Sequence, residues 1–137
     1  MTKAILIDPV IKEISTIQVE VNDLDELCKV LNCEMFTHIH LGDNQYLLLD
    51  DEGLIRDDKD QRGYFTFKNY HQSHLAGRSL IVSLNNALDK YIDYRVNPTF
   101  LQSIIIWKDP PTEEEYKILM TPQILTGKQF DEFFNLD

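Results

Sequence analysis

Apolar and polar residues alternate along two stretches of this chain, Ile14 to Val21 and Met35 to Leu41. Because successive side chains of a β-strand point to opposite faces of the sheet, this period of two predicts strands with one buried face. Each stretch has an apolar neighbour across a turn, Ala4 to Asp8 before the first and Tyr46 to Asp50 after the second. The two stretches therefore predict two β-hairpins.

A short helix is predicted between the two hairpins. Asn22 or Asp23 can cap its start, and the helix is expected to end around Asn32. The apolar residues between these points recur at i, i+3, i+4 and i+7, which places them on one stripe: Leu24, Leu27, Cys28 and Leu31. We expect the three leucines of this stripe to pack the helix on the sheet.

The second half of the chain carries a less regular pattern. Tyr64 to Phe67 and Ser79 to Leu84 are predicted strands, and Ser103 to Lys108 is apolar enough to predict a central strand. Asn85 to Arg95 fits a helix and a strand equally well. Tyr116 to Met120 is interpreted as a strand that pairs back onto the sheet.

A final helix is predicted from a capping box formed by Thr126 and Gln129. Together these elements predict a single α+β domain over residues 1–137, a mainly antiparallel β-sheet built from hairpins with two or three packed helices. Residues 4–84 form its hairpin-helix-hairpin part. Residues 85–137 form a C-terminal extension packed on that part.

The bulk composition narrows the class of protein. The 137 residues, 43% of them hydrophobic, suit one globular domain. No apolar run approaches the roughly 18 residues that a membrane helix needs, and the N-terminus reaches Asp8 and Pro9 too early for a signal peptide. Two cysteines are too few for a disulfide framework. These features predict a cytoplasmic protein that does not act at a membrane.

Charge is distributed unevenly along the chain. The chain contains 13 Lys and Arg residues and 23 Asp and Glu residues, which gives a formal net charge of -10. This net charge disfavours direct binding to nucleic acid. Nevertheless, residues Arg56 to Arg78, here called the cationic segment, gather five basic side chains, two histidines and several aromatic rings. Such a segment could hold one small anion, since arginine forks bind phosphate and aromatic rings stack on bases.

The candidate ligand-binding residues are the members of the cationic segment that can supply charge or a stacking face: Arg62, Tyr64, Lys68, Tyr70, His71, His74 and Arg78. Arg78 is the strongest candidate, because Gly77 would let the backbone approach a ligand closely. Arg56 and Lys59 are expected to be neutralised by neighbouring carboxylates. The alternative interpretation is that the whole segment is a solvated loop.

The histidines suggest a second kind of chemistry. His38 and His40 would share a strand face, and His71 and His74 would share a helix face if their segment is helical. If the pairs met, they could hold a metal ion. They could also act as acid and base in a phosphodiesterase. Two-histidine phosphoesterases use two His-x-Ser elements, and His71-Gln72-Ser73 resembles one of them. Ordinary structural histidines are the favoured interpretation, so no catalytic residue, metal ligand or cofactor is predicted.

The first half of the chain resembles a family of small uncharacterised proteins of bacteria and bacteriophages. The residues that carry the resemblance are Ala4 to Pro9, Ile14 to Glu20, Asp23 to Leu27, Leu47 to Leu54 and Leu75 to Val82. The family offers no catalytic residues to transfer. The resemblance implies that the protein is an accessory factor of a phage or mobile element and that it counters a host defence by binding a target.

The functional expectation is therefore a non-enzymatic binding protein that sequesters a small anionic, nucleotide-like ligand. One alternative is an acidic protein that inhibits a host protein by imitating DNA. The other alternative is the histidine-dependent enzyme described above. The oligomeric state is left open by the sequence.

Overall fold

The computed structural model describes residues 1–52, 62–88 and 90–120 of the chain. Within these ranges it forms nine strands: β1 Thr2–Asp8, β2 Glu13–Val19, β3 Phe36–Gly42, β4 Gln45–Asp50, β5 Tyr64–Phe67, β6 Leu75–Ala76, β7 Ser79–Asn85, β8 Lys90–Ile92 and β9 Ile105–Lys108. Three helices lie wholly within the same ranges: α1 Leu24–Leu31, α2 Pro98–Ile104 and α3 Glu113–Leu119. The strands all pair antiparallel, so the predicted α+β fold class is confirmed.

Six of the strands form one large sheet in the order β2-β1-β7-β4-β3, with β8 paired to the far end of β7. The two predicted hairpins are confirmed as β1 with β2 and β3 with β4. Strand β7 joins them, because Ile81 lies opposite Ile5 on one side and Leu47 on the other. The large sheet is therefore assembled from both hairpins around one later strand.

The remaining strands form a small sheet in the order β6-β5-β9. Strand β9 is an outer strand of this sheet, so the prediction of a central strand over Ser103 to Lys108 was wrong in that respect. Ile105 and Trp107 are partly buried by packing against the core, whereas Ile106 is exposed. Residues Ser103 and Ile104, predicted as strand, belong to α2.

Helix α1 begins where the sequence predicted, with the Asp23 carboxylate accepting from the backbone N–H groups of Asp25 and Glu26. Leu27 and Leu31 are fully buried against the large sheet, whereas Leu24 is 66% exposed. Helical side chains lean towards the helix N-terminus, so the side chain of the first helical residue projects beyond the packed face. The expectation that all three leucines pack on the sheet was therefore wrong for Leu24.

The second half of the chain was less predictable. Tyr116 to Met120 is not a strand, since helix α3 covers most of it and begins with a capping box between Thr112 and Glu115. Helix α2 begins at Pro98 with Asn97 as its cap. The ambiguous stretch from Asn85 to Arg95 contains the short strand β8. The predicted capping box at Thr126 lies outside the described residues.

The core lies in two layers, one on each face of the large sheet. One layer joins that sheet to the small sheet and α2, and includes Ile5, Ile81 and Phe65. The other joins the large sheet to α1, and includes Ala4, Leu80 and Leu27. Neighbouring residues of one strand enter opposite layers, as the period of two requires. No helix within the described ranges has the length and apolar character needed to span a membrane.

Candidate functional site

Arg62 is the first described residue of the cationic segment and is almost completely buried. Its Nη2 lies 2.8 Å from Oδ2 of Asp50 at the end of β4, and the guanidinium side chain is only 4% exposed. The same nitrogen donates to the backbone carbonyl of Asn32 at the C-terminal end of α1, at 2.9 Å. Arg62 therefore ties three segments together, and its charge is compensated inside the protein.

Gly77 packs against that guanidinium. It has a φ of +81°, and a Cβ atom added there would lie 2.6 Å from Nη1 of Arg62. Gly77 was expected to let the backbone approach a ligand. The group that makes the close approach is instead the buried arginine of the same chain, so Gly77 is needed for the interior.

Arg78 differs from Arg62 in its exposure. Its side chain is 46% exposed, and its Nε donates to Oδ2 of Asp8 at 3.3 Å. The other oxygen of Asp8 accepts from the backbone N–H of Val10 at 3.1 Å, so this carboxylate is held by the β1–β2 turn. Neither terminal nitrogen of Arg78 donates a hydrogen bond to the residues that the structure describes. The end of the guanidinium fork is therefore open to a further acceptor.

Both arginines line one pocket of about 320 Å³. It lies between the β1–β2 turn, the end of α1 and the start of β7, and its lining residues are Asp8, Val10, Ile11, Leu31, Asn32, Arg62, Gly77 and Arg78. We call it the arginine pocket. Its volume lies at the lower end of the range for small-molecule sites.

Tyr64 and His74 belong to the interior of the small sheet and do not line the arginine pocket. Each is 1% exposed, and their rings meet edge to face with centroids 5.8 Å apart. The Nε2 of His74 donates to the Asp109 carbonyl at 2.9 Å, which leaves Nδ1 to accept from the Ser73 hydroxyl at 2.8 Å. Burial lowers the pKa of His74, so its ring stays neutral and joins β6 to the end of β9.

Lys68, Tyr70 and His71 form a third group beyond the end of β5. The ring of Tyr70 contacts Phe67 edge to face and packs against the core, and burial raises its pKa. His71 lies against Tyr70 with ring centroids 4.3 Å apart, and desolvation lowers its pKa. The seven predicted site residues are therefore divided: the arginine pocket brings Arg62 and Arg78 together and includes none of the other five.

The two histidine pairs lie on opposite sides of the large sheet. His38 and His40 share one face of β3 and both contact the ring of Tyr46, which packs on the α1 side. His74 lies on the small-sheet side, next to Tyr64. Among the described residues, no three metal-binding side chains come together. Consequently, these four histidines do not form one site in this structure.

The carboxylates that decide the electrostatics of the pocket were not among the predicted site residues. Asp50 was predicted only as the end of a strand, but it is buried with Arg62. Asp8 was noted only as the end of a strand, but it is 5% exposed and holds Arg78. Their positions in the sequence were the available signal, because each carboxylate ends an apolar strand. These strands, β1 and β4, lie on either side of β7, which begins directly after Arg78. Arg56 and Lys59 lie outside the described residues.

The two cysteines lie beside the arginine pocket, at the end of α1. The Sγ of Cys28 lies 3.4 Å from the carbonyl oxygen of Glu34. The pKa of the Cys33 thiol is raised to about 12, mainly by burial and secondly by the negative charge of Asp50. Cys33 is therefore a protonated thiol at neutral pH, which makes it a poor nucleophile.

Comparison with known proteins adds no family to this geometry. No family model matches the chain, and neither the curated proteins nor the solved structures contain a significant match. The resemblance to small proteins of bacteria and bacteriophages therefore stays a prediction. Any functional argument has to come from the site itself.

Proposed function

We propose that the protein is a non-enzymatic binding protein and that its arginine pocket holds one small anionic ligand. The observation that carries the proposal is the open end of the Arg78 fork in a pocket of about 320 Å³. A guanidinium binds carboxylate or phosphate through two parallel hydrogen bonds, and the nitrogens at the end of Arg78 are arranged for that contact.

The local charges favour a ligand with a small anionic group. Asp8 uses one oxygen for Val10 and the other for Arg78, so the ligand would bind beside this carboxylate without displacing it. The net charge of -10 repels anions at long range. Affinity would therefore depend on short-range hydrogen bonds, with the buried charge of Arg62 largely offset by Asp50.

The walls of the pocket favour a ligand that also has an apolar part. Val10 and Ile11 in the β1–β2 turn are 57% and 58% exposed, and Leu31 closes the inner side. Tyr64 and Tyr70 do not line this pocket, so the expected stacking face is replaced by aliphatic side chains. A nucleotide-like ligand would have its phosphate on Arg78 and its base or sugar against Val10 and Ile11.

The residues that line the arginine pocket also favour ligand binding over catalysis. Among the described residues around the pocket, Asp8 is the one carboxylate, and both of its oxygens already accept hydrogen bonds. We extend the proposal to sequestration of a nucleotide-like signal, the role expected from the bacteriophage resemblance. Sequestration needs tight binding and an excess of protein over ligand. It does not need a general acid or base.

A thermal-shift panel tests the proposal with inorganic phosphate, pyrophosphate, nucleoside monophosphates and cyclic dinucleotides. A ligand at a hundred times its dissociation constant should stabilise the protein by about 2.7 kcal/mol. Arg78→Ala should lose that shift. Arg95→Ala is the matched control, because Arg95 is 54% exposed and lies 3.9 Å from Asp43, away from the pocket. A panel without any shift, or a shift that Arg78→Ala retains, would contradict the proposal.

A further inference from the structure

Strand β2 is an outer strand of the large sheet, and no strand of the described residues pairs with its outer side. It pairs with β1 through all seven of its residues, from Glu13 to Val19. No hydrogen bond joins its outer side to the residues that the structure describes. The N–H and C=O groups along such an edge are a template for another strand.

This edge lacks the features that usually prevent strand addition. Residues 14–19 contain no charged side chain and no proline, although the chain as a whole carries a net charge of -10. The register with β1 is continuous, without a bulge. At the opposite end of the sheet, β3 is interrupted by a register shift between His40 and Gly42. Of these two edges, β2 is therefore the more accessible to a new strand.

We infer that β2 is a dimerisation strand, to which β2 of a second copy adds in antiparallel register centred on Thr16. In this register Ile14 lies opposite Gln18 of the second copy, and Thr16 lies opposite its own counterpart. Lys12, the turn residue just before β2 with a φ of +56°, and Glu20 of the second copy, just after its β2, then lie close to each other at both ends of the paired strands. Moving the centre to a point between Thr16 and Ile17 would instead oppose Glu13 and Glu20, which is unfavourable.

A pocket beside β2 fits the same arrangement. It has a volume of about 340 Å³ and is lined by Lys12, Glu13, Ile14, Gln102, Ile105 and Trp107. Ile14 packs against the core on the small-sheet side, so the even-numbered residues of β2 face that side. Paired strands of one sheet share their faces, which directs Gln18 of the second copy towards this pocket.

Trp107 provides a direct readout. It is the single tryptophan of the chain and lines the pocket while only partly buried. Dimerisation should exclude water from its ring and shift its fluorescence to shorter wavelength. Sedimentation equilibrium should show a monomer–dimer equilibrium, and Trp107 fluorescence on dilution should follow the same curve. A monomer throughout the concentration series would overturn the inference.

Two substitutions distinguish the edges of the sheet. Thr16→Lys places two like charges opposite each other at the dimer axis and should weaken the dimer by about tenfold. Thr37→Lys, on exposed β3, is the matched control and should leave the dimer unchanged. At dilutions where the parent is monomeric, thermal melts of both variants should match the parent, because both positions are exposed. A dimer that survives Thr16→Lys, or that Thr37→Lys abolishes, would overturn the inference.

A charge exchange tests the register. Lys12→Glu and Glu20→Lys should each weaken the dimer, because each creates a like-charge pair at both ends of the paired strands. The variant that carries both substitutions should recover the parent dissociation constant. If it remains as weak as the single variants, the register centred on Thr16 is wrong.

Discussion

The buried and exposed parts of the cationic segment behave as two different regions, although they are close in sequence. Arg62, Tyr64 and His74 lie in the interior, where Asp50 offsets the charge of Arg62 and the Asp109 carbonyl accepts from His74. Arg78 lies at the surface, with one nitrogen on Asp8 and the end of its fork open. A run of basic residues therefore does not define a site. What matters is which charges the fold has already compensated.

The largest expected effect comes from removing the buried charge. Arg62→Ala should destabilise the protein by about 3–5 kcal/mol, because it leaves the Asp50 carboxylate buried without its cation. Chemical denaturation measures this loss. Arg62→Met combined with Asp50→Asn should recover much of it, since Asn can still accept from the Glu52 N–H. If Arg62→Ala were as stable as the parent, Arg62 would not be a buried structural charge, and the contrast with Arg78 would be wrong.

A smaller effect is expected at Gly77. Gly77→Ala should cost about 1–3 kcal/mol, because it puts a Cβ atom against the Arg62 guanidinium at a positive φ. In an Arg62→Ala background the steric part of this cost should disappear and the strain from φ should remain. Equal costs in the two backgrounds, measured by denaturation, would show that the two residues are not coupled.

The buried histidine gives a pH-dependent effect. Burial lowers the pKa of folded His74, so the unfolded chain binds more protons as the pH falls below the ordinary histidine pKa of about 6.5. Stability should therefore decrease on acidification through that region and be constant with respect to His74 above it. His74→Gln should reduce this slope relative to the parent, and the slope that remains belongs to the other titrating groups. An unaltered slope in His74→Gln would contradict the interior assignment.

The smallest expected effect on stability is at Arg78. Arg78→Ala should lower the free energy of unfolding by about 1 kcal/mol, because Arg78 is half exposed and its contact with Asp8 is long, and the buried Asp8 carboxylate keeps the Val10 N–H. Urea denaturation of this variant beside Arg62→Ala measures the contrast directly. Comparable losses in the two variants would mean that Arg78 is also structural.

The sequence was sufficient for the elements that carry a strong local signal. Both hairpins and the start and end of α1 follow from alternation, turn residues and the Asp23 cap. Helix α2 was not predicted, although Asn97 can cap a helix and Pro98 can begin one. Helix α3 was missed although Thr112 and Glu115 have the capping-box spacing.

The site was predictable only in part, because its geometry depends on contacts that are distant in sequence. Arg62 meets Asp50 and the end of α1, and Arg78 meets Asp8 some seventy residues earlier. Local composition could nominate both arginines but could not tell which of them would be buried. Tyr64 and His74 were nominated for the same reason, and tertiary packing placed them in the interior.

Isothermal titration of the purified protein with the ligand that gives the largest thermal shift tests the central claim most directly. We expect one site per chain, with at least about tenfold weaker binding in Arg78→Ala, which corresponds to about 1.4 kcal/mol or more. Arg95→Ala should bind like the parent. Equal affinity in the parent and Arg78→Ala would show that the open end of the Arg78 fork is not a binding site.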